Sequence, residues 1–300
     1  MPSFLQRARF YAKFLFANTV LGGCAIYGFL CSVVLAIAGK SHLSQYSTAR
    51  VYYYTFSTLL GIRIRLVNGE ALEKLPAVIV GNHQSILDIL ILGRIFPPGC
   101  SVTSKKSLSY VPFLGWFMTL SGAFFIDRKN GEAAKKILND GLENLKKNKR
   151  AIFLFAEGKR SYATEPTLLP LKKGAFHMAT QAQIPVVPLV ASNYSNIYDF
   201  DNCVFESGEI VVKVLDPVST EGLTKDDVNS LTERVQGQML ETVMELGYAK
   251  SDVDEPVAED NATTVAPETT ATEDEGVETE DTVLPNTEAG ERSSLLSKTP

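Results

Sequence analysis

Apolar and polar positions divide the chain into regions of different period. Residues 14–39 are 26 consecutive positions without a charge, bounded by Lys13 and Lys40. A stretch of that length spans a bilayer core with some tilt and exceeds the apolar part of a cleaved signal peptide. The pattern predicts an uncleaved membrane helix over about 14–39. A second apolar, tyrosine-rich stretch predicts an interfacial helix over about 43–60, which completes an anchor over residues 1–60. Beyond it the period changes. Runs at 63–67, 77–81, 101–103, 123–126, 151–155, 186–190 and 209–215 read as strands. Helical periodicity appears at 86–95, 132–147, 174–181 and 225–246. This alternation predicts a single α/β domain over 61–250, with a mixed, largely parallel sheet flanked by helices.

One apolar run could be mistaken for a second span. Residues 108–126 are 19 positions without a charge, but Pro112, Gly115 and Gly122 interrupt them. A span there would also place His83 and Arg160 on opposite faces of the membrane, where they could not share a substrate. The segment is expected to be buried or to skim the membrane beside an acyl chain, ending in a strand that delivers Arg128.

Charge separates the last region. Residues 251–300 hold 14 acidic and 2 basic residues and no aromatic one, which leaves 20 acidic and 27 basic residues for the first 250. The overall −5 therefore joins a basic body to an acidic tail. The tail has too little apolar surface to offset its ordering entropy and is expected to be disordered. A basic body suits phosphates and anionic lipid surfaces. Nothing in the pattern points to nucleic acid or sets an oligomeric state. The four cysteines show no paired spacing, and the three histidines lie in unrelated contexts, so no metal site is implied.

The candidate chemistry sits in polar islands at strand ends, where sites form in such sheets. His83 and Asp88, five residues apart, suit a general base and the carboxylate that orients it. Ser85 to Asp88 also fits a capping box, in which Asp88 would only satisfy a backbone N–H. Arg128 follows a strand candidate and is either an anion contact or the partner of Asp127. Glu157, Gly158, Lys159 and Arg160 follow the apolar run 151–155; glycine allows close backbone approach and a guanidinium matches phosphate bidentately. Lys105 and Lys106 form a second anion contact or a solvated pair. His177, in an apolar helical run, is expected to be a packing residue.

In this order the islands resemble the blocks of the glycerolipid acyltransferases, most closely the 1-acyl-glycerol-3-phosphate acyltransferases, over roughly residues 51–215. Asn82-His83 through Asp88 matches the His-x4-Asp block. Lys105 through Gly115, Gly122 through Arg128, Glu157 through Ser161, and Ile184 through Pro188 match the others. Lys159 departs from the usual threonine, and Ser107 stands where an acidic residue is common. The resemblance implies transfer of an acyl chain from coenzyme A to the sn-2 hydroxyl of lysophosphatidic acid, giving phosphatidic acid for phospholipid or triacylglycerol synthesis. Another lysolipid or glycerol-3-phosphate is the alternative acceptor, and a non-catalytic lipid-binding protein the alternative class. It further implies His83 and Asp88 as catalytic residues, with Asn82, Lys105, Arg128, Glu157, Gly158, Lys159 and Arg160 on the substrates. No bound cofactor is implied beyond the acyl-CoA co-substrate. The partner surface is a lipid bilayer, that of the endoplasmic reticulum or a lipid droplet.

Overall fold

A computed structural model describes residues 2–126 and 146–253. Arg128, nearly all of the helix expected over 132–147, and residues 254–300 lie outside the described residues.

Helix α1 (Phe4–Ile37) starts well before position 14. Ser3 caps it, its hydroxyl accepting from the Gln6 N–H at 3.2 Å. Charge limits entry into hydrocarbon but does not end helical hydrogen bonding, so Arg7, Arg9 and Lys13 lie inside the helix. Its buried residues Phe10, Ala17, Cys24, Gly28 and Ser32 recur every seven or four positions, so one stripe faces the body. The opposite side is apolar and open, with Leu15, Leu30, Val34 and Ile37 exposed. Among the described residues α1 is the one helix long and apolar enough to cross a membrane. Lys13 also ion-pairs with Glu206 at 3.1 Å, which ties the first half of α1 to the domain.

Helix α2 (Ser44–Leu60), predicted as an interfacial helix over about 43–60, packs on the body with Tyr52, Tyr53 and Phe56 buried and leaves Tyr54 and Leu59 exposed. A β-carbon on Gly28 would lie 2.7 Å from Thr48 Cγ2, so the α1–α2 crossing depends on the absence of a side chain there. Arg50 donates to the carbonyls of Gly93, Arg94 and Phe96 at the end of α3 (Asp88–Ile95). Those carbonyls are among the ones a helix leaves without partners, and a cation suits that end of its dipole.

The sheet contains β1 (Ile62–Val67), β2 (Ala77–Gly81), β3 (Ser101–Lys105), β4 (Phe124–Ile126), β5 (Ala151–Phe155) and β6 (Val186–Ala191). A separate two-stranded pair, β7 (Tyr198–Asp199) and β8 (Val204–Phe205), precedes β9 (Gly208–Val214) and the short β10 (Lys250–Ser251). The order is β1-β9-β6-β2-β5-β3-β4, with β10 on β9. Strands β6, β2, β5, β3 and β4 are parallel, and β9 joins β6 antiparallel. β7, β8 and β10 are too short to leave an apolar period in the sequence. β10 and the Arg63–Asp252 ion pair at 2.9 Å carry ordered structure past the expected tail boundary at 251.

Both faces of the central strands are covered, so all five residues of β2 are buried and its sequence is apolar throughout. Ile79 and Phe153 point into the layer of α1, α2 and α3. Val78, Val80, Ile152, Leu154 and Ala156 point into the layer of α5 (Gly174–Ala182) and α6 (Val228–Leu246). The apolar run 108–126 is no single helix. It divides into the end of a 3-10 turn, α4 (Leu114–Leu120) and β4.

Candidate active site

Strands β2, β5 and β6 end together, with Gly81 opposite both Phe155 and Leu189. Two residues beyond Gly81, Phe155 and Leu189 stand His83, Glu157 and Ala191, so sequence positions over 100 residues apart become neighbours. His83 Nδ1 lies 2.6 Å from Asp88 Oδ2. The imidazole stacks on Phe155, with centroids 3.9 Å apart and planes 13° from parallel. With Nδ1 held and one face covered, Nε2 is the nitrogen left for chemistry; it has no protein partner among the described residues.

Asp88 is 2% exposed and serves more than the ring. Oδ2 also accepts from the N–H groups of Gln84 at 2.8 Å and Ser85 at 3.2 Å, while Oδ1 accepts from the Tyr194 hydroxyl at 2.7 Å. The capping role and the histidine contact therefore coexist in one carboxylate. Tyr194 in turn receives the Ser85 N–H at 3.0 Å. Burial and the neighbouring Asp88 charge push its phenol well above the ordinary range, so it stays a protonated donor.

Glu157 holds the backbone of the same turn. Its Oε1 accepts from His83 N–H at 2.6 Å and its Oε2 from Leu169 N–H at 3.1 Å. Burial raises its carboxyl to about 7 against the lowering effect of those two N–H groups. Asn82 is likewise occupied, its amide exchanging bonds of 3.0 and 2.9 Å with the Ala191 backbone. Both residues were expected on the substrate; both give their polar atoms to the frame around His83.

The segment after Glu157 clasps this turn. Ser161 N–H donates to His83 O at 2.8 Å and Tyr162 N–H to Gln84 O at 3.1 Å. Gly158 makes the preceding bend at φ +73°. Arg160 donates to the Tyr162 hydroxyl at 3.2 Å and pairs with no carboxylate among the described residues, Glu157 included. Lys159 and Lys105 are exposed. Lys105 ends β3, next to β5, and pairs in register with Ile126 of β4. His83 and unpaired cations thus share one edge, a few strand spacings of about 4.8 Å across. His177 is exposed on α5 and does not pack. Among the described residues no three His, Cys, Asp or Glu side chains converge as metal ligands.

Phe155, Gln84 and Tyr194 are site residues the sequence pattern does not single out. Tyr194 had a signal: it follows an apolar strand in the polar run Ser192–Asn196, as His83 follows β2.

The family described as Acyltransferase matches residues 63–192, which contain His83, Asp88, Glu157 and Arg160; Tyr194 lies just beyond them. The chain is 49% identical over 247 residues to the 1-acyl-sn-glycerol-3-phosphate acyltransferase of Saccharomyces cerevisiae, covering 82% of each protein. It is 34% identical to the human 1-acyl-sn-glycerol-3-phosphate acyltransferase alpha, covering 80% of this chain and 83% of that one. The crystal structure of the 1-acyl-sn-glycerophosphate acyltransferase from Thermotoga maritima superposes with a TM-score of 0.62 over 81% of this chain and 95% of that one. At 21% identity, that superposition speaks for the fold alone. The likeness to the sequence relatives runs over nearly the whole described body, and on it the chain belongs to the 1-acyl-sn-glycerol-3-phosphate acyltransferase family.

Proposed function

We propose that this acyltransferase moves an acyl chain from a coenzyme A thioester to the sn-2 hydroxyl of 1-acyl-sn-glycerol 3-phosphate, forming phosphatidic acid. The observation that carries the reading is His83, fixed through Nδ1 by Asp88 with Nε2 free, and clasped by the segment that carries Arg160, which has no ion pair among the described residues. Nε2 takes the proton of the acceptor hydroxyl as its oxygen attacks the thioester carbonyl. The C–O bond forms, the C–S bond breaks, and the proton passes from His83 to the leaving thiolate. A thioester is already activated, so no covalent acyl-enzyme is needed. Asp88 stabilises the imidazolium formed on the way. Arg160, Lys159, Lys105 and Arg128 hold the acceptor phosphate, while Asn82 and Glu157 position the histidine turn.

The exposed apolar side of α1 supports a seat on lipid, and the family resemblance supports the endoplasmic reticulum. Drawing an acyl chain out of lipid costs about 0.8 kcal/mol per CH₂, which favours a site at the membrane surface. The test is thiol release from one long-chain acyl-CoA with lysophosphatidic acid, other lysophospholipids and glycerol-3-phosphate in turn. Lysophosphatidic acid should give the highest kcat/KM, and His83→Ala should lower it by about 10² to 10⁴-fold. A faster reaction with another acceptor would displace this substrate, and an active His83→Ala enzyme would remove the mechanism.

A further inference from the structure

The proposed reaction brings two anionic substrates to one edge, and Arg160, Lys159, Lys105 and Arg128 are assigned to one of them, the acceptor. The acceptor carries a single phosphate; a coenzyme A thioester carries three, separated from its sulfur by a pantetheine arm. That arm is as long as a four- or five-residue extended peptide, about 15 Å. A second cationic locus is therefore needed, outside the His83–Arg160 cluster but within an arm's length of it.

The described residues offer one. Lys172 N–H donates to Ala156 O at 2.7 Å, directly behind Glu157. The Lys172 stem crosses Gly158, where a β-carbon would lie 3.2 Å from its Cγ. Lys173 and His177, four residues apart on one face of the α5 start, continue outward from it. All three side chains are exposed, and none has a hydrogen-bond or ion-pair partner among the described residues.

Side matters as much as charge. His83 stacks on Phe155, which packs with the layer of α1, α2 and α3, whereas α5 covers the other face of the sheet. A fatty acyl-CoA needs its chain on the apolar side, its nucleotide in water and its thioester between them. Resting on the acyl-CoA reading above, we propose that Lys172, Lys173 and His177 receive the phosphates of the donor's nucleotide. The donor then crosses the sheet edge, with its acyl chain toward the α1–α3 layer and its nucleotide on α5. The acceptor phosphate stays with Arg160.

The double variant Lys172→Gln/Lys173→Gln tests this in the full-length protein in mixed micelles. With palmitoyl-CoA its donor KM should rise about tenfold, as expected from losing two charge-assisted contacts in partly screened surroundings. The lysophosphatidic acid KM should stay put. With S-palmitoyl-pantetheine, which lacks the nucleotide, variant and wild type should react alike. Calorimetry with coenzyme A itself should show the same weakening without turnover. An unchanged palmitoyl-CoA KM would overturn the site, as would equal losses with both donors or a shift confined to the acceptor KM. If the wild type releases no thiol from any acyl-CoA, the donor reading falls and this site with it; wild-type turnover with an indifferent variant removes the nucleotide site alone.

Discussion

Asp88→Asn separates the two tasks that the structure gives to one carboxylate. The asparagine must turn its oxygen toward Gln84 N–H, Ser85 N–H and His83 Nδ1, because its NH₂ group there would face donors. The NH₂ then faces Tyr194, whose hydroxyl can turn its proton to Ser85 Oγ, now 3.1 Å away. Every hydrogen bond keeps a partner, and so does the tautomer of the ring. Only the charge is lost. Imidazolium and carboxylate centres about 4 Å apart attract by about 4 kcal/mol at an effective dielectric of about 20. A neutral acceptor recovers about 1 kcal/mol of this. The expected fall in kcat is therefore about 10²-fold, since about 1.4 kcal/mol is tenfold.

Stability should behave differently. Asp88→Ala leaves the Gln84 N–H and the His83 Nδ1–H without their acceptor, at about 1–3 kcal/mol per group, while Ser85 N–H and the Tyr194 hydroxyl keep each other and Ser85 Oγ. For a domain of this size each kcal/mol lowers Tm by roughly 2–4 °C. Asp88→Ala should thus melt about 10 °C lower, and Asp88→Asn within a few degrees of wild type. Thiol release under saturating acyl-CoA and lysophosphatidic acid, with thermal melts on the same preparations, gives both numbers. An Asp88→Asn enzyme with kcat within threefold of wild type would show that the charge does nothing for the histidine, and the capping role would be the whole of it.

Three further outcomes follow from the geometry. Arg160→Lys should raise the lysophosphatidic acid KM more than the acyl-CoA KM because the bidentate fork is lost, with Tm unchanged since no ion pair is broken; equal KM shifts would take Arg160 off the phosphate. Glu157 releases its proton near 4.5 when unfolded and near 7 when folded, so stability is lost as pH rises through that window. Glu157→Gln should flatten that slope in pH-dependent melts, and an unaltered slope would refute the assignment. A chain ending at Val253 should keep full turnover, whereas one ending at Tyr248 loses β10 and the Arg63–Asp252 pair and should melt lower; loss of turnover in the longer chain would give the tail a part in catalysis.

The sequence shows local relations and hides those made by strand neighbours. His83 and Asp88 are legible together because both ends of their contact fall within one strand-to-helix turn. The bond from His83 N–H to Glu157 spans 74 residues. It exists because β2 lies beside β5, and no local period states which strands are neighbours. Read locally, Glu157 beside Gly158, Lys159 and Arg160 looks like part of an anion site. In the fold the chain turns sharply at Gly158, leaving Glu157 buried behind the histidine and the two cations outside. Tyr194 was hidden for the same reason, since only the β2–β6 pairing carries it to Asp88. Helix α1 begins before the uncharged run because charge reports on solvent and not on backbone hydrogen bonding.

This arrangement also explains how the block around Glu157 tolerates its departure from the family pattern. Glu157 fixes the His83 backbone, Gly158 supplies a positive φ and passes Lys172 closely, and Arg160 is a guanidinium held by the Tyr162 hydroxyl, with no ion pair among the described residues. Lys159 lies between them with its side chain exposed and without a partner among the described residues. It is the position of this block that the frame does not use. A lysine there changes the charge that an approaching phosphate meets and leaves the distances that set His83 untouched. Variation at residue 159 therefore acts on substrate attraction, which salt screens, and not on the proton transfer.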